Sequence, residues 1–172
     1  MPWKLVTHSD VSRLDVPKRF FAYSHAYLDA ATALCSQMIT TPQLYTWPHG
    51  SVVLMLSAHS VELFLKGALF RHHTSQELEH HQIEELAEKF FQLFKGEEFK
   101  WDIPFKTSYA GFTEAEIENL KKRTPSPSIL YRYPLGRGGN EWQGAYGFEA
   151  HSFVSVLENL RATYVRIEPL VV

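Results

Sequence analysis

The chain predicts an all-α fold, an up-and-down bundle of four to five helices joined by two long irregular loops. Three observations carry that reading. Apolar residues recur at spacings of three and four along four separate stretches. No stretch alternates polar and apolar residues as a half-buried strand would. Helix-opening and helix-closing residues fall at the ends of the periodic stretches.

Residues 1–14 read as an N-terminal arm. Asp15 is placed to cap a first helix, with Pro17 in its first turn, where proline is tolerated. That helix is expected to run to about Ile39, burying Phe20, Tyr23, Tyr27, Ala30, Leu34 and Met38. Lys18, His25, Asp29, Thr32 and Ser36 fall on the opposite side. Residues 40–50 contain Pro42, Pro48 and Gly50 and read as a loop. A second helix is expected from about Ser51 to His73. It is apolar almost throughout and suits a site buried on most sides.

A third helix is expected from about Glu77 to Lys95, with Ile83, Leu86, Phe90, Leu93 and Phe94 facing inward and Gly96 ending it. Residues 97–112 are irregular but rich in aromatics, among them Phe99, Trp101, Phe105, Tyr109 and Phe112, which suits packing against the bundle. Thr113-Glu114-Ala115-Glu116 is a capping box that opens a short polar helix ending near Thr124. Residues 125–147 hold several prolines and glycines and fit no regular element. A connection that long serves a function or conceals an element that periodicity does not reveal. The last helix is expected from about Phe148 to Glu168, with Phe153, Val156, Leu157, Leu160, Tyr164 and Ile167 inward and Pro169 as its limit.

A length of 172 residues fits one domain, 1–172, and a 45% hydrophobic content suffices for a core. The formal charge of −2 argues against generic polyanion binding by the whole surface, though a local basic patch remains effective. The single cysteine, Cys35, forms no intrachain disulfide and fits a reducing, cytoplasmic compartment. It sits mid-helix without an activating base and reads as a packing residue. The start of the chain lacks the basic segment and apolar run of a signal peptide. The longest apolar stretch carries Glu62 and Lys66 near its centre, which argues against a membrane span.

His59, Glu62 and Lys66 fall at i, i+3 and i+7 and share one helix face. Glu62 and Lys66 stand in the favoured order for an i, i+4 ion pair. On an exposed edge such a pair contributes about 0.3–0.5 kcal/mol. Buried, both charges need partners, and the stripe becomes the wall of a polar groove.

His80 with Glu84, and His81 with Glu85, have the i, i+4 spacing of a helical metal pair. No third ligand is specified, so the reading there is a solvated junction with no metal. Residues 121–137 hold five basic side chains and no acid, with Tyr131, Tyr133 and nearby Trp142 as stacking surfaces. Arginine with aromatics on an irregular segment suits phosphate contact and base stacking; the same residues also suit a solvated helix end. Neither a nucleophile elbow nor a phosphate-binding loop nor a His-Glu-x-x-His run is present, and no catalytic residue or cofactor is expected.

Three pieces together resemble the HEPN superfamily (higher eukaryotes and prokaryotes nucleotide-binding domain). The run from Ala58 to Leu69 is similar to that family's second helix, with its Ala-x-x-x-Glu-x-x-Leu-Lys pattern. His81-Gln82-Ile83 with Leu86 is similar to the His-Asp-Leu that opens the next helix. Arg132-Tyr133-Pro134 is similar to the Arg-Tyr-Pro before the final helix.

The resemblance implies a helical bundle, often a homodimer, in toxin–antitoxin or defence systems. It implies a nucleotide, an RNA or a nucleotidyltransferase-type protein as partner, and no membrane. Some members are metal-independent RNases with an Arg-x(4–6)-His motif near the start of the final helix. That motif is absent here at the expected place. Arg19 and His25 match the spacing but lie in the first helix, roughly 120° apart around its axis. The expected ligand-binding residues are therefore Glu62, Lys66, Arg132 and Tyr133, in a groove between the polar stripe and the Arg-Tyr-Pro segment. Arg132 would contact phosphate, Tyr133 would stack or pack, and Glu62 would orient a basic group. The alternative is an RNase whose nonstandard site forms across a homodimer.

Overall fold

The computed structural model describes residues 5–74, 76–105, 111–123, 125, 127–136, 139–140 and 147–172. Among them every regular element is helical, and the architecture is an all-α bundle. The N-terminal arm holds one short helix, α1 (Ser9–Ser12). The first long helix, α2 (Val16–Thr40), begins where the sequence expects it, and the Asp15 carboxylate accepts from the Lys18 amide at 3.1 Å.

Its buried face is only partly the expected one: Met38 is buried and Leu34 packs against the core, but Phe20 and Tyr27 are half-buried and Tyr23 and Ala30 exposed. Phe21, Ser24, Leu28, Ala31 and Cys35 face the core, each one position on from the aromatic stripe, together with Pro17 and the expected Met38, while Tyr23 stays 47% exposed. Ser24, Ala31 and Cys35 are small, so neighbouring helices approach α2 closely along this face. Cys35 is fully buried, and its Sγ–H donates to the Ala150 carbonyl at 3.4 Å. Burial pushes its thiol pKa up, the setting of a packing residue.

The central rod is α3 (Trp47–Leu69). It starts four residues before the expected Ser51, because Pro48 occupies the first turn rather than breaking a loop. It ends at Leu69 rather than His73, in a turn over residues 70–72. By length and composition it could pass for a membrane span, yet most of it is packed inside the bundle. Gly67 is one reason it packs so closely: a Cβ there would stand 2.9 Å from the Phe21 ring.

The third predicted helix is shorter than expected. A 3₁₀ turn at Gln76–Leu78 precedes α4 (Ile83–Leu93), which opens after Gln82. The expected capping box is present: Thr113 and Glu116 bond reciprocally at the start of α5 (Glu114–Arg123). The second irregular connection contains a missed element, α6 (Pro127–Leu130).

The last helix, α7 (Ala150–Val171), opens with Glu149, whose carboxylate accepts from the His151 and Ser152 amides. Pro169 lies inside it rather than ending it. The carbonyl that loses its partner belongs to Val165, which is 66% exposed and open to water.

Contacts fix the directions. Tyr27 meets His59 and Phe20 meets Phe70, so α2 and α3 are antiparallel. Cys35 meets Ala150 and His25 meets Glu168, so α7 is antiparallel to α2 and parallel to α3. Phe64 and Tyr164 stack face to face, with centroids 4.0 Å apart, and Trp101 and Phe90 continue the aromatic core toward α4.

Candidate functional site

The polar stripe of α3 is buried. Glu62 is 1% and Lys66 7% exposed, so the pair is not a solvated edge. The Lys66 ammonium donates to Glu62 Oε1 at 2.9 Å. His81 Nδ1 lies 2.8 Å from the same oxygen. His59 Nδ1 stands 3.5 Å from Glu62 Oε2 without closing a normal hydrogen bond, and both atoms are buried without another partner. Burial raises the Glu62 pKa, but His59, Lys66 and His81 together lower it further, to about 2. The carboxylate is thus an anion at neutral pH, enclosed by three basic side chains.

His81 is the residue whose role the sequence reading missed. The sequence reading places it with Glu85 at helical spacing on a solvated junction, but α4 does not start until Ile83, so neither His80 nor His81 lies on that helix. Instead His81 reaches back to α3, and His80 sits 3.7 Å from Glu85. The one available signal was the similarity of His81-Gln82-Ile83 to a family motif; local spacing offered none. Among the described residues, no group of three or more His, Cys, Asp or Glu side chains is placed to hold a metal ion.

The arrangement has chemical capacity. A buried carboxylate holds one ring nitrogen of His81 while the side chain stays 56% exposed. Such a carboxylate fixes tautomer and orientation and leaves the other nitrogen able to take or give a proton, or to donate to an anion.

Arg132 and Tyr133 follow α6 and are exposed, Tyr133 at 53%. Their neighbourhood is fixed by aromatics. Tyr131 meets Phe105, Phe105 meets Phe153, Phe153 meets Phe148, and Phe148 closes on Gly50. Gly50 is in the first turn of α3, and Glu62 lies roughly 18 Å further along that helix. Among the described residues, no hydrogen bond or ion pair joins Arg132 to Glu62 or Lys66. The structure therefore brings Glu62 and Lys66 together and adds His81 and His59, while Tyr131, the residue before Arg132, meets Phe105. Tyr109, Arg137 and Trp142, and the side chains of residues 121–123, lie outside the described residues.

Arg19 and His25, which match the RNase spacing, both have structural work. The Arg19 guanidinium donates to the Leu14 and Ser12 carbonyls, and His25 pairs with Glu168 at 2.7 Å. Compared with known proteins, the chain matches no family model, no curated protein and no solved structure.

Proposed function

We propose that this protein is a HEPN-like helical binding module, non-enzymatic, that takes a nucleotide or an RNA strand. The carrying observation is Glu62, a buried carboxylate that positions a half-exposed histidine. Two of the three sequence pieces behind the family resemblance meet at this atom: Glu62 and Lys66 come from one, His81 from the other. A positioned imidazole beside a buried lysine suits a phosphate group, and exposed Arg132 adds a second phosphate contact. A cytoplasmic setting, with a toxin–antitoxin or defence role and a nucleotidyltransferase-type protein as second partner, fits this reading.

Fluorescence anisotropy with labelled single-stranded RNA and with a labelled nucleotide, in a salt series, tests it. Binding should weaken steeply with salt. Arg132→Ala and His81→Ala should abolish it with melting temperature nearly unchanged. A collapse of melting temperature in Arg132→Ala would make that residue structural. No anisotropy change with either probe would end the reading.

One observation favours a second reading, a metal-independent RNase: the Glu62–His81 pair has the geometry of a base held by an orienting carboxylate. Incubation of the protein with total RNA in EDTA separates the two. Cutting that disappears in His81→Ala would select the enzyme.

A further inference from the structure

The two oxygens of Glu62 serve different neighbours. Oε1 holds Lys66 and His81. Oε2 faces His59 Nδ1 at 3.5 Å, and the His59 ring meets Tyr27 of α2 nearly at right angles, with centroids 4.6 Å apart. A groove of about 310 Å³ lies there, lined by Phe20, Tyr23 and Tyr27 of α2 and by His59 and Leu63 of α3. One buried carboxylate therefore links this groove to His81.

The groove is aromatic and nearly uncharged. Tyr23 is exposed, and Phe20, Tyr27 and His59 are half-buried, so ring surface is open to solvent. Among the described residues, neither the Tyr23 nor the Tyr27 hydroxyl has a hydrogen-bond partner. Arg19, the charged residue of the lining, is engaged by the Leu14 and Ser12 carbonyls, and Glu62 itself is buried. A phosphate placed in the groove would lose water and gain no free cation. A flat, uncharged heterocycle would find rings to stack on and a few polar atoms to pair with.

Those polar atoms are specific. With Nδ1 turned to a carboxylate, neutral His59 carries its proton there, and Nε2 is left as an acceptor. It suits the amine or ring N–H on the edge of a base. The volume falls at the small end of the range for small-molecule sites. We infer that the groove is a nucleobase site, stacking one unpaired base of the ligand whose phosphate sits at His81, with His59 as the polar contact on the base edge. This base site rests on the nucleotide or RNA ligand proposed above. Charge sorts the two ends: the uncharged ring enters the groove, and the phosphate stays at the half-exposed imidazole beside Lys66.

NMR of the full chain, with tyrosine and histidine side chains labelled, reads the two ends separately. Adenosine, which has a base and no phosphate, should shift the Tyr23 and Tyr27 signals. Inorganic phosphate should shift His81 and leave both tyrosines in place. Tyr23→Ala and Tyr27→Leu should each lower affinity for a short oligoadenylate about tenfold with helical circular dichroism retained. The slope of affinity against salt should stay the same, because no phosphate contact is lost. Tyrosine signals unmoved by adenosine, equal shifts with cyclohexanol, or unchanged oligoadenylate affinity in both variants would each overturn the base site while leaving an RNA-binding protein. Tyrosine signals that move on dilution of the protein alone would give the groove to a second copy and overturn it too. Adenosine shifts with no binding of oligoadenylate would keep the base site and end the strand reading.

Discussion

Two polar networks are buried along α3, less than one turn apart, and they are built on opposite terms. At Ser60 the network is neutral. Ser60 Oγ donates to the Ser24 carbonyl at 2.8 Å, Ser24 Oγ donates to the Ser60 carbonyl at 2.8 Å, and the Tyr164 hydroxyl stands 3.2 Å from Ser60 Oγ. Every group there has a partner, and α2, α3 and α7 are tied at one level. At Glu62 the network is charged and incomplete: Oε1 serves two donors, while Oε2 and His59 Nδ1 face each other 3.5 Å apart. A closed neutral network fixes helix register at little cost. A charged one with an opening to solvent through His81 is a poor choice for holding a bundle together and a good one for meeting a ligand.

The comparison is broken most forcefully at the ion pair. Glu62→Ala leaves the Lys66 ammonium buried with no carboxylate, and the expected loss is about 3–5 kcal/mol of folding stability. Lys66→Ala should cost a similar amount from the other side. The double variant Glu62→Leu/Lys66→Met should recover much of the loss, because no unpaired charge remains. Urea denaturation measures all three. A Glu62→Ala loss of under about 1 kcal/mol, the range of exposed pairs, would mean that solvent reaches the cluster.

Acid should act on the same group. The Glu62 carboxyl is held at about 2 in the folded chain, against 4.5 as the unperturbed value. The group's stabilisation is therefore present above pH 4.5 and is lost as pH falls toward 2, by about 3 kcal/mol. At the other network the sign is reversed. Burial raises the Tyr164 pKa above its ordinary value of 10. Its stabilisation is complete below pH 10 and is lost above it, as the unfolded chain ionises first. Stability measured against pH should show both limbs. Glu62→Gln should flatten the acid limb and leave the alkaline one in place.

Helix type and order were legible in the sequence because the helical period dominates long stretches. The core face of α2 is only partly legible, because the helix carries two apolar stripes and periodicity weights the one with Tyr23 and Tyr27 over the one with Ser24, Ala31 and Cys35; Met38 is buried as expected. Pro48 reads as loop because a proline in a first turn and a proline in a loop look alike in sequence. Glu62 and Lys66 were legible as a pair from i, i+4 spacing alone. Their burial depends on α4 and the residues before it, and so does the arrival of His81, nineteen positions along the chain. No local pattern encodes a contact of that separation.

The gentlest break is at the neutral network. Tyr164→Phe removes one hydroxyl but keeps the ring stacked on Phe64, and Ser60 Oγ keeps its bond to the Ser24 carbonyl. No buried donor is orphaned, so the expected cost is about 1 kcal/mol, well below that of Glu62→Ala. The same variant should lose the tyrosine's share of the alkaline limb while the acid limb stays. If Tyr164→Phe instead costs as much as Glu62→Ala, the two networks are not different in kind, and the case for Glu62 as the functional one loses its physical basis.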